Sequence, residues 1–442
     1  MSTEDILIRI KEEGVQFITL QFTDLLGVVK EIIIPAAGAA TAINSGVWFD
    51  GSSVEGFARI QESDLFLKPD LSTYSVVPWL AQNGKTARLI CDIYRPDGRP
   101  FEGDPRSILK KIINQAHQIG LEPKMGPEAE FYLFRDETQQ PPQPIDYSGY
   151  FDFSSHEGYK FIKEVASALG QFGIEVETSH HEVGQGQYEI DFKYGPALEI
   201  ADKVLTLKYT VKKIAQMYGL RATFIPKPIK GAAGSGMHIH QSLFDRDGRQ
   251  NLFYHSDNQY RLSSTAYHFI AGQMRHIKAM SAILCPTVNS YKRLISGFEA
   301  PVYITWAGMN RSALIRIPRF HADKPEAARI ELRCPDPTCN PYLAFAVMIA
   351  SGLEGIKEKL PAPTPVEENV YNFNGDDLNH KKIATLPTSL KEALTEMKND
   401  YLVAQVLGDD LLEKYFYIKN KEWNEYSDQV TDWEIKKYSA IY

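Results

Sequence analysis

Four cysteines in 442 residues are too few for a disulfide framework, and Cys91, Cys285, Cys334 and Cys339 fit a chain kept reduced. The pair in Cys334-Pro-Asp-Pro-Thr-Cys339 has no second Cys or His pair to complete a zinc site. No apolar run approaches the ~20 residues of a membrane span. The opening MSTEDILIRIKEEG lacks the basic, apolar and small-residue succession of a secretory signal, so a cytoplasmic protein with no membrane contact is expected. Excess positive charge is also missing. The net charge of -8 disfavours nucleic acid as a partner and suits a protein that takes up cations. Neither a Gly-x-x-x-x-Gly-Lys-Ser/Thr loop nor a strand-borne Gly-x-Gly-x-x-Gly is present, so neither common phosphate-binding loop applies. Gly231-Ala-Ala-Gly-Ser-Gly236 is glycine-rich, but it leads into a strand and not a helix. Repeats and low-complexity segments are absent.

What is present reads as an α+β protein of two domains, residues 1–103 and 104–442. In the first, a capped helix over 4–13 precedes a hairpin of strands at Val15–Phe22 and Val28–Ile34. A short Ala-rich helix over 36–44, a polar stretch and a strand over Ala87–Tyr94 follow. Asp104-Pro105 combines a cap with a first-turn proline and opens the larger region. Its helices are predicted over roughly 105–118, 157–172, 198–218, 263–284 and 341–358. Short strands are predicted at 126–134, 187–194, 237–244, 300–306, 313–317 and 329–333, and a charged helical tail follows residue 388.

Gly126-Pro127-Glu128-Ala129-Glu130 heads an aromatic strand on which Glu128 and Glu130 share one face. Two carboxylates there repel unless they face water or share a cation. The pattern recurs. Glu182 follows two histidines, Glu189 opens another strand, and His238, His240 and Ser242 alternate on a third. Arg329, Glu331 and Arg333 alternate on a fourth, with Ile330 and Leu332 facing the core. One such strand is usually just half-exposed; several together predict a polar bowl. Its carboxylates and imidazole form a hard donor set suited to Mg²⁺ or Mn²⁺. Arg293, Arg311, Arg316, Arg329 and Arg333 crowd one window of the chain. Divalent ions with arginines nearby are the apparatus of phosphoryl transfer.

Asp50-Gly-Ser-Ser-Val-Glu-Gly56, Gly126-Pro-Glu-Ala-Glu-Phe131, Ser179-His-His-Glu-Val183, Gly234-Ser-Gly-Met-His238, Asn289-Ser-Tyr-Lys-Arg293, Glu299-Ala-Pro301, Asn310-Arg-Ser312 and Asn340-Pro-Tyr-Leu343 occur in this order. Together they resemble type I glutamine synthetases, from about residue 15 to the C-terminus. The resemblance implies a β-grasp N-terminal domain and a larger catalytic domain whose antiparallel strands line the active site. It also implies a homo-dodecamer of two hexameric rings with active sites between subunits. The activity implied is ligation of ammonium to the γ-carboxylate of L-glutamate through γ-glutamyl phosphate, with ATP and two or more Mg²⁺ or Mn²⁺ ions per site. Carried over by position, one metal site resembles Glu130, Glu182 and Glu189, the other Glu128, His238 and Glu331. Glu177, His240, Ser242, Arg311 and Arg316 match nucleotide-binding positions. Ala233, Gly234, Arg293, Glu299, Arg311 and Arg333 match positions that hold glutamate or the phosphate in transfer. Asp50 of an adjacent subunit and Glu299 match the residues that take up and deprotonate ammonium, Arg311 acts beside them, and Tyr150 and Ser53 shape the pocket.

The chain departs from the family at three places. Ala233 stands where an Asn is usual, and the loop Arg319–Ala328 is long, with Glu326 at a position some members give to a nucleotide-binding Lys. The insertion of the adenylylated subtype is missing, with Tyr371 only loosely placed at the modified tyrosine. Arg59 resembles an arginine tied to glutamine feedback in the other subtype. Two rival functions are a γ-glutamyl ligase for an organic amine and a catalytically inactive paralogue. Asp50 and Glu299 favour the compact ammonium ion, and six intact metal positions favour an active enzyme.

Overall fold

The computed structural model describes residues 2–54, 56, 64–80, 84–135, 142–153, 155–295, 300–373 and 375–442. Ser2 caps helix α1 (Thr3–Glu12), accepting from Asp5 N while the Asp5 carboxylate accepts from Ser2 N, the reciprocal arrangement that satisfies orphan amides. Strands β1 (Val15–Thr23) and β2 (Val29–Pro35) form the expected hairpin, and helix α2 (Ala39–Ser45) leads to β3 (Val47–Asp50). The expected polar stretch contains a thirteen-residue strand, β4 (Asp64–Val76), followed by β5 (Lys85–Tyr94). Lys68, Pro69, Asp70 and Ser72 masked it, although Leu65 and Leu67 face the core. The sheet runs β2-β1-β5-β4-β3, with β1 and β5 parallel.

Helix α3 (Pro105–Gln118), capped by Asp104, leads into β6 (Leu121–Phe134), which starts five residues before Gly126, where sequence pattern put it. After α4 (His156–Gln171) come β7 (Val176–His181), β8 (Gln187–Phe192), β9 (Gly195–Pro196), α5 (Ala197–Met217), β10 (Arg221–Thr223) and β11 (Met237–Asp245). Then follow α6 (Ser264–Leu284), α7 (Ser290–Arg293), β12 (Trp306–Ala307), β13 (Ile315–Arg316), β14 (Ile330–Leu332) and α8 (Pro341–Glu358). Of the strand expected over 300–306, only Trp306 is extended in the sheet. The second sheet runs β12-β13-β14-β11-β6-β8-β7, with β9 and β10 pairing β6. All its pairings are antiparallel except that of β12 with β13. Further helices, including Leu390–Lys398 and Asp409–Ser427, complete the tail.

One face of this sheet is apolar and lies in a core with α3, α5, α6 and α8, to which Ala129, Phe131, Ile190, Ile239, Ile330 and Leu332 contribute. Helices α6 and α8 approach closely because Gly272 and Gly355 face each other. A Cβ on Gly272 would lie 2.0 Å from Ser351 O, and one on Gly355 2.0 Å from His268 O. The core leaves the opposite face of the strands for polar side chains.

Arg106 ties the first sheet to the second region. It is 2 % exposed, and its guanidinium donates to Asp70, Asp92 and Asp202 at 2.7–3.0 Å, while Tyr342 O–H donates to Asp202. Burial raises the Asp70 carboxyl, but Ser72 and the Arg106 charge outweigh it and hold its pKa below the usual range. Removing the cation leaves three largely buried carboxylates with only Lys110, 2.5 Å from Asp92 and 4.0 Å from Asp70, to offset them. Arg106→Met should lower unfolding stability by about 3–5 kcal/mol. Arg99→Ala, at an exposed, solvent-screened pair with Asp97, should leave it essentially unchanged. Urea unfolding of both variants tests this, and equal effects would refute it.

A second buried cluster predicts a pH response. His276 on α6 lies between Glu354 on α8 (Nε2–Oε2 2.5 Å) and Asp400 (Nδ1–Oδ2 2.7 Å), with the Tyr401 ring edge-on and Arg275 3.5 Å from Glu354. Burial alone would lower the imidazole pKa; the hydrogen bonds of Asp400 and Glu354 outweigh it and raise the value. A raised folded-state pKa contributes stability that is complete below the unfolded value of about 6.5 and is lost as pH rises through the folded value. Thermal stability should therefore fall as pH rises past about 6.5, and His276→Gln should flatten that slope. An unchanged slope in the variant would show that His276 is not its source.

Candidate active site

Strand register builds the polar face. Glu130 on β6 is opposite Glu189 on β8, which is opposite His180 on β7. One row along, Glu128 lies between Asp191 and His238. In the next row His240 is opposite Glu331, and Glu331 is opposite Arg316. Because side chains on one face recur every second residue, three rows of ionisable groups stack on adjacent strands. Two groups bring their ligand atoms within 4.8 Å of one another: Glu128 with His238 and Glu331, and Glu182 with His180 and Glu189. Glu130 lies in the same row as Glu189 and accepts from Gln187 Nε2 at 2.9 Å.

The electrostatics are those of a face short of cations. Burial, then the charge of Glu182, pushes the Glu130 carboxyl up to about 8. Burial and the neighbouring Glu130 push Glu189 up as well. Asp191 is raised to about 6 by burial, with Glu128 adding to it, and its Oδ1 is buried without a hydrogen-bond partner. Glu128 goes the other way. Burial would raise it, but the imidazoles of His240, 2.5 Å away, and His238, 3.2 Å away, hold it below the usual carboxylate range. Several carboxyls forced toward protonation, one with an unpartnered oxygen, fit divalent cations by donor chemistry and by unmet charge.

Two cavities open on this face. The larger, about 690 Å³, is lined by all six expected metal ligands, and by Ala233, Gly234, Arg293, Arg311, Arg316 and Arg333. The smaller, about 320 Å³, holds Glu177, His240 and Ser242, with Lys124, Tyr194, Glu326 and Arg329. Glu128 and Asp191 line both and form the wall between them. The positions grouped by resemblance thus separate in space, the described ones for glutamate and phosphate (Ala233, Gly234, Arg293, Arg311 and Arg333) in one cavity and three of the five for nucleotide in the other.

The arginines are held in place. Arg293 donates to the carbonyls of Cys334, Pro335 and Arg333 at 2.7–3.3 Å. The glycine-rich stretch exists to admit it, since a Cβ on Gly234 would lie 2.7 Å from Arg293 Cγ and equally close to Pro226 O. Arg316 Nε lies 2.9 Å from Glu331 Oε2, and Arg333 donates to Arg311 O. Tyr132 O–H donates to Ala233 O at 2.7 Å, which fixes that backbone.

Asp50 is exposed at the end of β3, accepts from Ser52 and Ser53, and lines neither cavity of its own chain. Tyr150 lines the larger cavity. Glu299 and Arg59 lie outside the described residues. Tyr371 donates its hydroxyl to Ala300 O. The sequence reading passed over His180, Gln187 and Asp191. The same spacing-by-two rule would have found the first and last, since His180 precedes Glu182 by two and Asp191 follows Glu189 by two.

Residues 14–96 match the family model for the glutamine synthetase β-grasp domain, and residues 102–438 that for the glutamine synthetase catalytic domain. Among curated relatives, the glutamine synthetases of Thermotoga maritima and Methanosarcina mazei are each 46 % identical over 441 residues. The alignments cover 99 % of this chain and 99 % and 98 % of theirs. Among solved structures, the cryo-electron microscopy structure of Plasmodium falciparum glutamine synthetase is 25 % identical, with a TM-score of 0.89 over 99 % of each chain. An ADP complex of GmaS is 32 % identical, with a TM-score of 0.88 over 99 % of each chain. With near-complete coverage by both domain models and by full-length relatives, the chain belongs to the glutamine synthetase family.

Proposed function

We infer that the two cavities divide the work of a glutamate–ammonia ligase. The chain makes glutamine from glutamate and ammonia with ATP, and uses Mg²⁺ or Mn²⁺. The observation that carries the division of labour is the wall formed by Glu128 and Asp191 between the cavities. Glu177, His240 and Ser242 take the nucleotide in the smaller one, with Arg316 and Arg311 reaching its phosphates from the larger. Glutamate binds beside Ala233, Gly234 and Arg293. The guanidinium of Arg293, already fixed by three carbonyls, gives up no further freedom on binding. Arg311 and Arg333 face the phosphate in transfer and offset its charge.

Metal ions held by Glu128, His238 and Glu331, and by Glu130, Glu182 and Glu189, supply charge neutralisation to the phosphates. A carboxylate is a poor acyl donor, so ATP first converts the γ-carboxylate to an acyl phosphate. Ammonium has no lone pair, so an anionic pocket must both attract it and accept its proton. Asp50 of a neighbouring subunit and Glu299 serve as that pocket, with Tyr150 and Ser53 beside them. The exposure of Asp50 at the end of β3, away from its own cavities, supports a ring in which each site is completed by the next chain. The dodecamer of two hexamers and a cytoplasmic location follow from the same reading, with domains divided at 103/104. The four cysteines are free and buried, and no helix among the described residues is long and apolar enough to cross a membrane. An amine-ligase activity is not favoured, because the curated relatives at 46 % identity are glutamine synthetases.

Phosphate release from ATP should require glutamate, a divalent ion and ammonium, with organic amines far slower. Mn²⁺ or Mg²⁺ at 100 times its dissociation constant should stabilise the fold by about 2.7 kcal/mol, read as a rise in unfolding temperature. Turnover preferring an organic amine, or no thermal shift with either metal, would reject the respective part. Asp50→Asn should depress ammonium use far more than ATP binding. Co-expression of Asp50→Asn and Glu331→Gln chains should restore part of the activity in mixed rings, and fully inactive hybrids would rule out a shared site.

A further inference from the structure

His180 lies on the polar face, yet the family resemblance gives it no role. Its Nε2 is 2.9 Å from Glu182 Oε1 and 3.6 Å from Glu189 Oε1. One ligand atom from each of these three residues falls within 4.8 Å of the others, the same compactness as Glu128, His238 and Glu331. The β7–β8 register sets His180 directly opposite Glu189, so strand alternation and not a chance rotamer brings it onto this face. Its neighbour His181 points elsewhere, to Asp146 Oδ1 at 2.8 Å.

The imidazole is also held from behind. The Phe151 ring centre is 4.8 Å from it, and the Tyr150 ring meets it nearly edge-on at 5.7 Å. Phe151 N–H donates to His181 O at 3.1 Å, and Phe151 holds a left-handed backbone, φ 60°, which is uncommon for a bulky residue. The two aromatic rings leave Nε2 directed at the carboxylates.

We propose that His180 is a nitrogen ligand of the first metal site, beside the carboxylates of Glu182 and Glu189. The proposal rests on reading that site as metal-binding. Each of the two sites would then combine carboxylates with one imidazole, His180 in one and His238 in the other. An imidazole donor favours Mn²⁺ over the harder Mg²⁺ relative to an all-oxygen set. The competing arrangement keeps His180 as a hydrogen-bond partner of Glu182 only, which holds that carboxylate without touching the ion.

Electron spin-echo spectroscopy of bound Mn²⁺ separates the two, because only a directly bound imidazole nitrogen couples strongly to the ion. In His238→Asn the second site loses its nitrogen, so the nitrogen modulation that remains is expected to come from His180. It should vanish in the His180→Asn/His238→Asn double variant. His180→Asn alone should weaken Mn²⁺ binding at one site on the order of tenfold or more, and should shallow the modulation at full loading. Bound Mn²⁺ without nitrogen modulation in His238→Asn would overturn the proposal. So would unchanged modulation in His180→Asn, whatever its affinity, since a histidine that only holds Glu182 would also weaken binding; this arm decides if His238→Asn fails to fold. No Mn²⁺ uptake by the unaltered protein would instead reject the metal reading itself.

Discussion

Mutual repulsion among carboxylates on one face of one sheet is the constraint on which the rest of the structure depends. Glu128, Glu130, Glu182, Glu189 and Glu331 converge there with Asp191, and burial raises the pKa of Glu130, Glu189 and Asp191. Such a face is unfavourable until cations enter it. The fold meets the cost in two ways that do not quench the site. Imidazoles sit against Glu128, and arginines rim the larger cavity, anchored mainly to backbone carbonyls and to Glu331. Charge is thereby kept high on the face that the two cavities share, and is held in position by groups that do not leave.

That arrangement needs a rigid support behind it. The apolar face of the same strands lies against helices whose own contact is a close glycine pair, Gly272 and Gly355. The carboxylates therefore project from a packed layer and not from loops, which limits how far repulsion can splay them. The first sheet is fastened to this layer through Arg106 and its three aspartates. Asp50, which lies in neither cavity of its own chain, thus rides on a body firmly joined to the rest.

Much of this was legible from residue spacing. Alternation on β6, β11 and β14 put Glu128, Glu130, His238, His240 and Glu331 on a polar face, and the register bears that out. The long helices were recovered within a residue or two because their apolar faces and caps are local signals. Strand β4 was hidden because its polar residues read as loop, while the partners that make it a strand lie in β3 and β5. The division into two cavities could not be read at all, since it depends on which strands are neighbours. Motif likeness sorted the same residues into nucleotide and glutamate groups, and tertiary structure separated most of them accordingly.

The rows across β7, β8, β6, β11 and β14 carry a consequence for how such a site changes over time. Alternation has a period of two, so losing or gaining one residue inside β6 between Gly126 and Glu130 would turn every carboxylate beyond it into the core and bring Ala129 and Phe131 outward. Length variation is therefore closed to these strands, and descendants of this chain can vary the site only by replacing side chains in place. Insertions are confined to the connecting loops, such as the segment 319–328. That segment reaches the smaller cavity through Glu326, so the wall of that cavity is free to drift in length while the carboxylate face is not.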